Sequence, residues 1–348
     1  MSRAAVSADS VPLCAASPLR RWVGARALHL LASLRLTLVA LLLLVAAVVY
    51  TVVMPGRITW VLALPLGMLA FNLGAAVATH PAFRRHTALL AFHLALIALV
   101  LLVGAGRLTY LKGQLELSQG EWFDGELTQA EAGPWHPWRL HQVRFVNDGF
   151  RIDYAPGVRR GPTANAVRWI DAQGRQGGGS IGDHHPLVLA GYRFYTTFNK
   201  GFAPVFVWHD ARGGVPVRGT IHLPAWPLHE YRQALDWTPP GSDLRVWTML
   251  QIDEPLLDAQ RAFQFRVPER HRLVVRVGEE RRELAPGERW TLPQGTLVYE
   301  RLTTWMGYAV FYDWTMPWLL AAAGVAVASL ALHFWKKYAA RSWMEAGT

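Results

Sequence analysis

Four long runs of almost uncharged, apolar residues decide most of what this chain can become. About 20 apolar residues rising 1.5 Å each cross the hydrocarbon of a bilayer, and a helix there satisfies its own backbone groups where no water can. The runs extend from Leu36 to Val53, Ile58 to Ala78, Ala88 to Gly106 and Pro317 to Trp335. Three are crowded near the N-terminus, and the fourth follows a long polar stretch. The expected organisation is a cytoplasmic N-terminal segment (1–35), three transmembrane helices (36–106), an extracytoplasmic domain (107–314), a fourth transmembrane helix (315–336) and a cytoplasmic tail (337–348). The second run carries Pro65, Gly67 and Gly74, which membrane helices accommodate better than soluble ones.

A net charge of +10 suggests a nucleic-acid partner until its distribution is examined. From Arg107 to Trp314 there are 24 basic and 23 acidic residues, leaving 11 basic and 2 acidic for the remainder. The excess therefore sits beside the apolar runs and reads as membrane topology, so no nucleic-acid binding is expected. Arg20, Arg21, Arg26 and Arg35 precede the first run, Arg84 and Arg85 separate the second and third, and Lys336, Lys337 and Arg341 follow the fourth. With four spans all three clusters fall on one side. The positive-inside rule makes that side cytoplasmic, which puts both termini inside the inner membrane and the large domain outside; Arg57 is the one exception. The first run exceeds a signal-peptide core in length, and no small-residue cleavage pattern follows it. Leu19 to Arg35 interleaves arginines with Trp22, Leu28 and Leu30, as an amphipathic helix lying on membrane lipid would.

Between Arg107 and Trp314 the pattern changes to short apolar or alternating stretches. Gln114–Leu117, Arg151–Tyr154 and Arg272–Val277 predict strands, while Asn147-Asp148-Gly149 and Pro286-Gly287 predict turns. The expectation is a β-rich antiparallel domain, sandwich or barrel-like, with helix confined to pieces such as Pro255 to Phe263. Gly177 to Gly182 fits G-x-G-x-x-G by letter but leaves no buried strand and opens no helix, so a flexible hairpin loop is expected instead. Cys14, the only cysteine, lies in the N-terminal tail, which leaves the outer domain without a disulfide. The chain has no C-x-x-C-H and no hydrolase, P-loop or zinc-protease motif.

Histidines carry what chemistry can be read. His184 and His185 point to opposite faces if extended, and His222 and His229 are separated by Pro224 and Pro227, so surface or loop histidine is the reading for all four. His80 and His86 sit at a membrane edge. His93 differs: in Leu89-Leu90-Ala91-Phe92-His93-Leu94 it lies inside the third apolar run, where an ionisable side chain is costly and suggests a function. A neutral imidazole there can ligate iron, or it can bond a neighbouring helix.

Several segments, taken in order, resemble the ResB (CcsB) family of system II cytochrome c biogenesis. They are Leu30 to Thr37 leading into the first run, Ala91-Phe92-His93-Leu94 and Gly104 in the third, Lys112 to Glu121 just beyond it, Gly191 to Tyr195, and Phe311-Tyr312-Asp313 before the last run. The resemblance implies a subunit that helps carry heme b, transiently and shared with a partner, across the membrane for attachment to apocytochrome c. It implies a CcsA/ResC-type membrane partner, contact with thiol-reducing proteins, and His93 as an axial ligand of the heme iron. The tryptophan-rich heme-handling motif of that partner is not visible among the 16 tryptophans here, in keeping with one subunit rather than a fused synthase. The outer domain is compact beside many family members. Two other classes compete: a non-heme scaffold whose outer domain docks a partner, and a transporter component, disfavoured because no acidic relay accompanies His93.

Overall fold

The computed structural model describes residues 28, 30–54 and 59–339, which divide into two compact units. One gathers the chain up to Leu108 with the residues from Thr315 onward; the other is Thr109–Trp314. Most of the expected surface helix over Leu19 to Arg35, Cys14, and the turn at Pro55 to Arg57 lie outside the described residues.

The first unit is helical: α1 (Leu34–Val53), α2 (Thr59–Thr79), the five-residue α3 (Pro81–Arg85), α4 (Thr87–Thr109) and α5 (Met316–Ala339). Four of these are long and apolar enough to cross a membrane, and each is one of the runs read from the sequence. Ser33 starts α1, its hydroxyl accepting from the Arg35 amide at 3.2 Å. Pro81 opens α3, where its missing N–H costs nothing. The helices leave large side chains outward, with Leu34 83% and Phe71 76% exposed in the isolated chain. Such surface calls for lipid or another membrane subunit. Where α1 is buried, it is buried through the small residues Ala40 and Ala47, the kind of contact that brings membrane helices close.

The second unit is built entirely from antiparallel pairs. Its largest sheet runs β2 (Gln129–Ala132), β1 (Leu111–Ser118), β15 (Gly295–Tyr312), β7 (Tyr192–Asp210), β6 (Leu187–Leu189), with β8 (Val217–Thr220) and β14 (Arg289–Leu292) attached to β7 and β15. A second sheet orders β13 (Glu280–Leu284), β12 (His271–Val277), β10 (Val246–Ile252) and β9 (Ala234–Trp237). The third orders β11 (Phe263–Gln264), β3 (Arg144–Ala155), β4 (Arg159–Ile170) and β5 (Gln176–Gly182). None of the three sheets closes on itself, so the barrel alternative fails while the β-rich antiparallel reading holds.

β7 and β15 are the spine. They pair from Tyr192 opposite Tyr312 to Asp210 opposite Gly295, long enough to serve two cores. One core surrounds Phe202, Phe206, Trp208, Leu273, Val275 and Tyr299; the other holds Leu111, Leu115, Phe145, Phe194, Tyr308 and Val310. The middle of each long strand is buried at consecutive positions, because sheet packs on both of its faces. β1, at one side, alternates buried and exposed residues as a strand covered on one face should.

Three local expectations are corrected. Asn147-Asp148-Gly149 is not a turn between strands but a bulge inside β3. Asn147 is fully buried, donating to the Leu117 carbonyl and accepting from the amides of Gly149 and Asn165, so its turn chemistry is spent within the sheet. Gly177 to Gly182 is strand β5 rather than a flexible loop. The Trp169 ring lies over Gly177, where a Cβ would come within 2.2 Å of it, so glycine admits an aromatic lid. Pro255 to Phe263 forms no helix. Leu256 and Leu257 pack on the core, and Glu254 just before them accepts from Arg266 and the amides of Glu269 and Arg270, pinning the segment open.

Candidate functional site

His93 lies six residues into α4, about 9 Å along the helix axis from Thr87. Its Nδ1 is 2.8 Å from the Leu89 carbonyl one turn back. A carbonyl only accepts, so Nδ1 carries the proton and the Nε2 lone pair is left available. No hydrogen bond engages Nε2 among the described residues. Phe83 and Phe92 meet the ring edge-on, with centroids at 4.6 and 5.2 Å. These contacts fix the ring plane and supply an apolar collar, while the residue stays partly exposed. The bland alternative, an imidazole tied to a neighbouring helix, is not what is seen: the bond is to its own helix.

Three other imidazoles, His136, His222 and His271, are engaged at both nitrogens. His136, 5% exposed, donates through Nδ1 to the Thr109 carbonyl and accepts at Nε2 from the Tyr192 hydroxyl, both at 2.8 Å. Burial holds its pKa below the ordinary histidine value, against the pull of the Thr109 carbonyl. His271 repeats the pattern with the Pro268 carbonyl and the Tyr299 hydroxyl, and burial again lowers its pKa. His222, expected at the surface, stacks on Trp305, donates through Nδ1 to Glu116 at 2.9 Å and accepts at Nε2 from Ser118 at 3.0 Å. The hydroxyl–imidazole–carboxylate order is that of a catalytic triad. Ser118 is nevertheless 5% exposed, and its amide already donates to Glu121, which sets a carboxylate where an oxyanion hole would be needed. The array braces β1 against the segment following β8. His184 and His185 lie exposed in the loop after β5, as read from the sequence.

Two functional-looking residues were missed in the sequence. Asn72, 4% exposed in α2, donates to the carbonyls of Leu31 and Ser33 at 2.6 and 3.1 Å and accepts from the Thr37 hydroxyl at 2.7 Å. It clamps the entry to α1, and a single Asn in an otherwise apolar run was the signal available. Lys200, 2% exposed in β7, donates to the Thr197 carbonyl at 2.6 Å. Burial first, and the Arg160 charge second, push it down to about 8, partly offset by Asp183. A buried lysine without a bonded carboxylate is unusual, but nothing in the sequence near it signals burial.

The class is thus a membrane protein of four spanning helices joined to an antiparallel β-rich unit, with one pre-oriented imidazole inside a spanning helix. No protein-family model matches the sequence, and no curated protein does. Among solved structures, a chain titled cytochrome c heme lyase CcmF matches with 14% identity and a TM-score of 0.26, over 92% of this chain and 41% of that one. This chain thus spans less than half the length of that protein. The overlap is too slight to carry a functional inference.

Proposed function

We propose that this chain is a ResB-like subunit of a membrane complex that attaches heme to c-type cytochromes, and that His93 supplies one axial ligand to heme in transit. The observation that carries the proposal is the His93 ring, with Nδ1–H committed to Leu89 and Nε2 uncommitted within an apolar helix. That is the arrangement by which proteins present a neutral imidazole to a metal, since the bond at one nitrogen fixes the tautomer and direction of the other. The ordered segments that resemble the family support the same reading. Leu30 to Thr37 leads into α1, Ala91 to Leu94 surrounds His93, Lys112 to Ser118 lies in β1, and Gly191 to Tyr195 and Phe311 to Asp313 lie at the paired ends of β7 and β15.

The residues fit the group. A porphyrin needs an apolar flank and a neutral nitrogen donor. Phe83 and Phe92 provide the first beside the ring, and His93 the second. Heme brings the vinyl groups to which cytochrome thiols add; this chain holds and orients. No second imidazole is in ring contact with His93 among the described residues, and a CcsA/ResC-type partner would supply the other ligand to the part of the ring left exposed. The orientation we adopt is cytoplasmic for both termini, with the β-rich unit outside facing apocytochrome c and its thiol reductants.

Copurification of His93→Ala with its partner tests this. The proposal expects loss of the transmembrane heme absorbance with the complex intact. Unchanged heme with failed assembly on deleting the β-rich unit would favour the scaffold reading instead.

A further inference from the structure

A second feature of the helical unit is unrelated to His93. The start of α4 and the last turns of α5 enclose a cavity of about 500 Å³ lined by Arg85, His86, Thr87, Ala88, His333, Lys336 and Lys337. The rings of His86 and His333 meet across it, centroids 6.0 Å apart and nearly perpendicular. No carboxylate lines the cavity, and the described residues of this unit contain no Asp or Glu at all. Lys337 lies 5.6 Å over the ring of Tyr338, its neighbour, but neither it nor Lys336 nor Arg85 forms an ion pair among the described residues. Three basic side chains converging on one concave site, with no counterion among the described residues, leave a net positive field that an outside anion can neutralise.

The level of the site narrows the anion. His86 immediately precedes one spanning helix and His333 to Lys337 close another, so the cavity lies where helix ends meet lipid headgroups. The chemistry is that of a phosphate: charge for Arg85, Lys336 and Lys337, hydrogen bonds for the two imidazoles and for the free amides opening α4. We propose that this cavity binds the headgroup phosphate of an anionic phospholipid, holding α4 and α5 together at that surface.

The test uses the full chain carrying His93→Ala, so that heme binding plays no part in the result, in nanodiscs of phosphatidylglycerol and phosphatidylcholine or of phosphatidylcholine alone. Native mass spectrometry should find one phosphatidylglycerol retained per chain after extraction and no retained phosphatidylcholine. Neutralising Arg85→Gln and Lys336→Gln should weaken retention about fivefold each, and Lys336→Arg should restore it. Equal retention of both lipids, or retention unmoved by the double variant, would overturn the proposal. So would complete displacement of the lipid by millimolar inorganic phosphate, which would make the site one for a free anion.

Discussion

Single imidazoles of this chain differ in what their two nitrogens already do. His136, His222 and His271 each have one nitrogen donating and the other accepting, so they hold structure and have no lone pair to offer. His93 alone among these keeps Nε2. Its place inside an apolar run was legible in the sequence, because an ionisable residue there stands out against leucine and alanine. Its tautomer was not, since that depends on which carbonyl the ring meets. Lys200 was invisible for the opposite reason: on β7 it sits in a polar-looking stretch, Asn199-Lys200-Gly201, and only the sheets packed over it make it costly. Its free-lysine pKa of 10.5 falls to about 8 on folding. The unfolded chain therefore binds the extra proton between those values, and stability rises as pH climbs through that window, the penalty being complete below pH 8. Lys200→Met should stabilise the chain at pH 7 by up to about 3 kcal/mol and flatten the slope of stability against pH between 8 and 10.5. Denaturation in detergent across that range measures both. Asn72→Leu should cost about 1–2 kcal/mol, because three polar groups at the entry to α1 lose their partner; a thermal melt showing no loss would contradict the clamp.

At the level of elements, the length of the apolar runs identified all four spanning helices and short alternating stretches identified strands at 114–117, 151–154 and 272–277; the reading failed where a side chain answered a backbone need. Asn147 and Gly149 read as a turn because their chemistry is turn chemistry; in the fold the same bonds build a bulge. The glycines of β5 read as a loop because glycine disfavours strands, yet the Trp169 ring replaces the missing side-chain packing at Gly177. Paired substitutions separate these explanations. Gly177→Ala should destabilise by roughly 1–3 kcal/mol through overpacking against Trp169, whereas Gly179→Ala, with nothing within 4 Å of its Cβ position, should change little. Similar losses at both positions would show that backbone freedom, rather than the tryptophan, requires glycine.

At the scale of the whole molecule, the boundary between apolar helices and β-rich unit follows from composition, and sidedness rests on where the arginines and lysines cluster. Tyr231, 85% exposed in the β-rich unit, gives a handle. In a Cys14→Ser background, Tyr231→Cys should react with a membrane-impermeant maleimide in cells whose inner membrane is intact. Reaction only after lysis would invert the topology. The partner we propose is not legible in this chain, because a helix surface facing lipid and one facing another membrane subunit are apolar alike. Ligation of heme iron by His93 Nε2, as proposed, is open to a direct test by chemical rescue. With His93→Ala and the partner copurified, the transmembrane Soret band should be lost and should return on adding free imidazole. A Soret band that survives the substitution, or one lost and not restored by imidazole, would contradict ligation by His93.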